Sequence, residues 1–126
     1  MVGLVLVSHS ARLASGLVEL IAQLAPDVTV ITAAGTDDGR IGTSPDAVTA
    51  ALSAADSGDG VVVLPDLGSA VLSVRVALED APSPTTVLVD APFVEGAVSA
   101  AVTAGTGASL AEVVAAAREA REIPKF

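Results

Sequence analysis

Cysteine, tryptophan and tyrosine are absent from this 126-residue chain, phenylalanine occurs twice, and there is one histidine and one lysine. That inventory excludes disulfides, thiol nucleophiles and the usual zinc ligand sets, and neither a metal nor another cofactor is expected. Without aromatic side chains there is no platform on which bases could stack. Long apolar runs are missing too. Leu4 to Val7 stops at Ser8 and Val61 to Leu64 stops at Pro65-Asp66, far short of the roughly 20 residues that span a bilayer. The mean hydropathy of +0.70 therefore reflects small aliphatic side chains and no membrane insertion. The first residues carry no basic region, which argues against a secretory signal and for a cytoplasmic location. Positive charge is scarce. Six basic residues against 15 acidic ones leave a net charge of −9, which repels nucleic acid and anionic lipid surfaces.

Alanine and valine are what the chain does have, 25 and 20 of them, within a hydrophobic fraction of 52%. Charged residues make up 17%, below the globular average of about 25%, so the chain is packed and not disordered. Its length suits one domain, residues 1–126, with an aliphatic core and closely packed helices.

Hydrophobic patterning alternates two periods. Val2 to Val7 is a buried strand, and Leu13, Leu17, Ile21 and Leu24 then mark an amphipathic helix over Ala11 to Leu24. Pro26 ends it, and Val28 to Thr32 is a second strand rich in β-branched residues. The segment AAGTDDGRIGTSPD reads as an irregular loop that closes at Ser44-Pro45, an N-cap followed by proline at the first helical position. A helix over Pro45 to Ala55, a third strand at Val61 to Leu64 and a helix from Ser69 to Asp80 follow. Thr86 to Val89 is a fourth strand, and Val94 to Ala104 an alanine-rich helix. GTGAS separates it from a last helix, in which Ser109 and Glu112 have capping-box spacing.

The order βαβαβαβαα predicts an α/β fold, a parallel sheet of strand order 2-1-3-4 with helices on both faces. Its ligand crevice opens at the carboxyl ends of strands 1 and 3, which carry His9 and Asp66. A lone histidine is more often a surface or core residue. Here it follows a buried strand and precedes a helix N-terminus, whose dipole disfavours imidazolium and attracts anions. A carboxylate on Nδ1–H would fix the tautomer and leave Nε2 as nucleophile. Asp66 is placed for that role, the bland alternative being a helix cap or a turn with Leu67 and Gly68. Gly68 and Ser69, at another helix start, could receive phosphoryl oxygens.

Rival chemistries lack their parts. There is no G-x-x-x-x-G-K-[ST] loop, and the one lysine, Lys125, stands beside Phe126, which argues against an autonomous kinase or ATPase. GTGAS lies between two helices and so serves termination and capping, not dinucleotide binding. Ser69, His9 and Asp66 could form a hydrolytic triad, although no G-x-S-x-G elbow is present.

The blocks VGLVLVSHSARLASGLVELIAQ, GTDDGRIGTSPDAVTAAL, VVVLPDLGSAVLS and PFVEGAVSAAVTA together resemble one family across nearly the whole chain. This is the DhaM family, the phosphotransferase subunits of phosphoenolpyruvate-dependent dihydroxyacetone kinase, with a mannose-type enzyme IIA fold. The resemblance implies that His9 accepts a phosphoryl group from the phosphocarrier HPr and passes it to ADP held by the ADP-binding subunit of the kinase. That subunit works beside the dihydroxyacetone-binding one. Asp66 would orient His9, Ser10, Thr43, Gly68 and Ser69 would bind phosphate near Gly42, and Arg12 and Arg40 are the arginines near the crevice. Some relatives carry fused HPr-like and enzyme-I-like domains that this chain lacks, so a separate protein is expected to phosphorylate it. A homodimer through an apolar face of the helices Val94 to Ala104 and Leu110 to Arg121 is a further expectation. Two alternatives share the histidine: an enzyme IIA domain serving a sugar permease, and a regulatory module switched by phosphorylation.

Overall fold

Parallel strands admit no hairpins, so every crossover in this chain runs through a helix. The computed structural model describes residues 1–126. Its elements are β1 (Gly3–Ser8), α1 (Ala11–Leu24), β2 (Val30–Ala34), α2 (Pro45–Ala55), β3 (Val61–Pro65), α3 (Gly68–Asp80), β4 (Thr86–Leu88), α4 (Phe93–Ala104) and α5 (Leu110–Glu119). All pairings are parallel and the order is β2-β1-β3-β4, the α/β arrangement expected from the pattern. No helix is long and apolar enough to cross a membrane.

One strand is displaced from its expected span. Val28 N–H donates to the Ala25 carbonyl in the turn that closes α1, so pairing starts at Leu4↔Val30 and runs to Ser8↔Ala34. Ala33 and Ala34, expected in the loop, belong to β2. The irregular segment is Gly35–Ser44. Elsewhere the edges move by one or two residues, and the last helix ends at Glu119 instead of Arg121.

Alternation along β1 and β3 sorts the core. Leu4, Leu6, Val62 and Leu64 face α1, α4 and α5, while Val5, Val7, Val61 and Val63 face α2 and α3. Small side chains let the helices lie close. A Cβ at Gly3 would sit 2.2 Å from the Ala55 carbonyl oxygen, so glycine there admits the end of α2 against β1. Ala97, Ala100, Ala101 and Ala104 of α4 and Ala117 of α5 are fully buried in the chain's own core. The alanines of α4 are therefore covered by the chain's own core, because alanine is what permits α4 to approach the sheet, while Val94 and Val102 on the same helix stay exposed.

Local signals hold where they were strongest. Ser44 caps α2 ahead of Pro45, and Ser109 and Glu112 form a complete capping box on α5.

Candidate active site

Because Val7 pairs with Pro65, the residues after β1 and β3 leave the sheet side by side. Asp66 N–H donates to the Val7 carbonyl at 2.9 Å, which sets the aspartate against the end of β1. Its carboxylate then collects four bonds. Oδ2 accepts from Ser8 Oγ at 2.9 Å and from His9 N–H at 3.0 Å; Oδ1 accepts from Leu67 N–H at 2.7 Å and lies 2.9 Å from His9 Nδ1. The Asp66 side chain is 7% exposed and that of His9 19%. Burial is the largest single influence on Asp66 and pushes its pKa up. Hydrogen bonds from the His9 backbone, the His9 ring, Ser8 and Leu67 together outweigh it, and the carboxyl stays below the ordinary aspartate value.

An ionised carboxylate offers only acceptors, so Nδ1 carries the ring proton and Nε2 presents its lone pair. Ser69 Oγ lies 2.6 Å from Nε2 and donates to it. Ser69, His9 and Asp66 thus form a continuous relay, with Ser69 in the first turn of α3 and not on a strand-to-helix elbow.

The helix starts on either side differ. Ser10 N-caps α1: its hydroxyl accepts from Leu13 N–H at 3.2 Å, and its own N–H donates to Ser8 Oγ at 3.1 Å. Leu67 N-caps α3 without any side-chain bond. Ala70 N–H turns back to the Leu67 carbonyl, and the N–H groups of Gly68 and Ser69 have no intrahelical acceptor. A Cβ at Gly68 would meet nothing within 4 Å, so no neighbour packs against that side of the helix start.

The loop Gly35–Ser44 is tied down over the same rim. Gly35, in the left-handed region at φ +74°, donates to the Ser8 carbonyl, and Gly42 N–H donates to the His9 carbonyl at 2.9 Å. Thr43 Oγ1 meets Ser73 Oγ of α3 at 2.5 Å. Arg40 is engaged by Asp38, 2.6 Å from Nη2 to Oδ2, whereas Arg12, exposed in the first turn of α1, has no carboxylate partner. A cleft of about 400 Å³ opens on the far side of Asp66, between Gly68 and Arg75 of α3 and Leu88 to Ala91.

Of the expected site residues, His9, Asp66 and Ser69 are thus in direct contact, and Gly68 stands beside them. Thr43 reaches the rim through Ser73, and Ser10 is turned to its helix. Sequence reasoning missed Ser8 and Ser73. Ser8 is the one polar side chain in the buried set, and its signal was the break in an otherwise apolar strand. Ser73 could have been found as the residue one turn beyond Ser69, on the same helix face.

A doubly covered parallel sheet with one histidine nitrogen presented at its carboxyl rim defines an α/β domain with a histidine-centred site. The chain belongs to the mannose-type enzyme IIA family, described as the PTS system fructose IIA component, which matches residues 3–114. Within that family it is similar to DhaM phosphotransferase subunits. It is 40% identical over 99 residues to the phosphoryl donor subunit DhaM of PEP-dependent dihydroxyacetone kinase 1 of Listeria innocua, covering 79% of this chain and 78% of that one. The phosphotransferase subunit DhaM of the PTS-dependent kinase of Lactococcus lactis is 35% identical over 107 residues, with 85% of each chain covered. The Escherichia coli DhaM is 41% identical over 129 residues, a match to 97% of this chain but 27% of that protein. The crystal structure of EF1359, a protein described as of unknown function, superposes with a TM-score of 0.85 at 36% identity over 94% of this chain and 95% of that one.

Proposed function

We propose that this chain is a cytoplasmic phosphoryl carrier, the phosphotransferase subunit of a dihydroxyacetone kinase, in which Nε2 of His9 takes a phosphoryl group from phospho-HPr and passes it to ADP bound in the ADP-binding kinase subunit. The observation that carries the reading is the division of labour on the ring: Nδ1 is bound to a buried, ionised Asp66, and Nε2 meets no more than the Ser69 hydroxyl, in the first turn of a helix α3 that has no side-chain cap. DhaM relatives across most of the chain favour this acceptor over a sugar permease.

The chemistry follows from those contacts. The Nε2 lone pair attacks phosphorus as the donor's P–N bond breaks, and the positive charge that develops on the ring is balanced by Asp66 through Nδ1–H. Ser69 gives up its bond to Nε2 and turns its hydroxyl to a phosphoryl oxygen, beside the unpaired N–H groups of Gly68 and Ser69 that a helix start offers an anion. In the second step a terminal phosphate oxygen of ADP attacks, the P–Nε2 bond breaks and the pair returns to Nε2. Dihydroxyacetone is phosphorylated by the partner subunits and never by this chain.

Incubation with phosphoenolpyruvate, enzyme I and HPr is expected to add one acid-labile phosphoryl group, and His9→Ala to abolish it; label retained in that variant overturns the site. The phosphoprotein is then mixed with free ADP, with a sugar permease domain, and with ADP-loaded kinase subunits plus dihydroxyacetone. Rapid transfer only to the kinase subunits is expected, and transfer only to the permease domain assigns the acceptor otherwise. A homodimer is part of the same reading. Exposed apolar residues available to form it include Val94 and Val102 of α4, Leu13, Leu20 and Leu24 of α1 and Leu72 of α3. A monomer mass independent of concentration in sedimentation removes it.

A further inference from the structure

Ser73 touches neither His9 nor Asp66, yet it holds the loop that is tied to the backbone of His9. Its hydroxyl is 2.5 Å from that of Thr43, in a half-buried contact between residues 30 positions apart. Ser69 and Ser73 lie four apart on α3, so they sit one above the other on a single helix face. That face meets the ring of His9 through Ser69 and the loop Gly35–Ser44 through Ser73. The loop is anchored to the backbone of His9 by Gly42 N–H. Thr43, the next residue, is therefore fixed from two sides, by the His9 carbonyl and by α3.

Resting on the phosphoryl-carrier reading, we infer that Ser73 is a positioning residue that sets the direction in which the Thr43 hydroxyl donates. Each hydroxyl has one proton and two acceptor sites, and in the resting protein either can be the donor of the pair. A phosphoryl group on Nε2 offers only acceptor oxygens. Its charge orders the chain: Ser73 donates to Thr43, and the Thr43 proton is released toward the phosphoryl oxygen. Donors aligned in series polarise one another, so the second bond is strengthened by the first. Ser69 supplies its proton to the group directly, one helical turn away. No bond to phosphorus forms or breaks at Ser73, and its proton stays on its own oxygen.

The test is a kinetic double-mutant cycle on the full chain, with phospho-HPr as donor and ADP-loaded kinase subunits as acceptor. Ser73→Ala is expected to lower kcat for transfer about tenfold while leaving KM for phospho-HPr and the melting temperature unchanged. Ser73→Thr, which keeps the hydroxyl, is expected to restore most of it. In a Thr43→Val background, Ser73→Ala is expected to cost nothing further. Additive losses, an unrescued Thr variant, or a fall in melting temperature that accounts for the loss would overturn the assignment. Wild-type label at His9 with Ser73 variants that transfer at the normal rate would sink this inference alone; absence of label at His9 would sink the carrier reading instead.

Discussion

The two strand-to-helix junctions at the carboxyl rim have the same architecture and opposite chemistry. After β1 the serine side chains close on their surroundings: Ser8 bridges Asp66 and Ser10 N–H, and the Ser10 hydroxyl caps α1. After β3, the helix starts behind an exposed leucine that supplies no cap, and the Gly68 and Ser69 N–H groups have no acceptor in the protein. At the first junction side chains satisfy part of the helix start; at the second no side chain does. The proposed carrier role would use both, a nucleophile held in place and a helix start left uncapped for the phosphoryl group. Asp66 joins the two, since it stands on the second junction and its bonds go to the first.

Removing that joint is expected to have the largest effect. Asp66→Asn turns an amide toward some of the donors that now meet a carboxylate, those of Ser8, His9 and Leu67, and takes the countercharge from the ring. Transfer should fall tenfold or more, roughly 1.4 kcal/mol or above in barrier. Unsatisfied donors around a site 7% exposed should cost about 1–3 kcal/mol of stability, read by denaturant unfolding. An unaltered rate would reduce Asp66 to a turn residue.

Next in size is a change that makes the second junction like the first. Leu67 has extended backbone, φ −126° and ψ 165°, as an N-cap requires, and its side chain is 64% exposed. Leu67→Ser should stabilise the protein by roughly 1 kcal/mol by capping α3. It should also slow phosphorylation of His9 severalfold, because the new hydroxyl competes for the N–H groups of the anion seat. A variant that is both more stable and equally fast would show that these donors take no part in transfer.

The converse change opens the first junction. Ser10→Ala should destabilise the chain by about 1 kcal/mol through loss of the α1 cap and leave the transfer rate within twofold. A large loss of rate at unchanged stability would instead make Ser10 a phosphate ligand, as the family resemblance implied.

Acid titration should show the smallest effect. The folded pKa of Asp66 lies below the ordinary 3.8, so between those values the unfolded chain binds more protons than the folded one. The stability Asp66 contributes is whole above 3.8 and is lost as the pH falls through the lower folded value. Wild type should therefore lose more stability than Asp66→Asn on acidification from pH 5 to pH 2, as followed by thermal melts. Parallel curves would mean that the carboxylate gains nothing from its partners.

Much of this comparison was legible in the residues. Apolar runs that stop at Ser8 and Pro65, each followed by a helical period, place His9 and Asp66 on one rim once the strand order is known. The internal edge of β2 was not legible, because Val28 is β-branched like the strand residues after it and only the turn at Ala25 withdraws its N–H. Nor was the fate of the alanines in α4. A small apolar face reads the same whether it meets the chain's own sheet or another molecule.

By itself the sequence determined the alternation of strands and helices, the caps at Ser44 and Ser109, the absence of any thiol, and the one imidazole available to carry a group. These rest on local periodicity, turn chemistry and composition, which act within a few residues. Only the tertiary structure decided that Asp66 binds Ser8 and His9 across 57 or 58 positions of chain, that Ser10 faces its helix while Ser69 faces the ring of His9, and that Ser73 meets Thr43. The physical reason is that a hydrogen bond is made or lost over a few tenths of an ångström, and separations that small between distant segments are set by the register of β1 on β3 and the seating of α3 on the sheet.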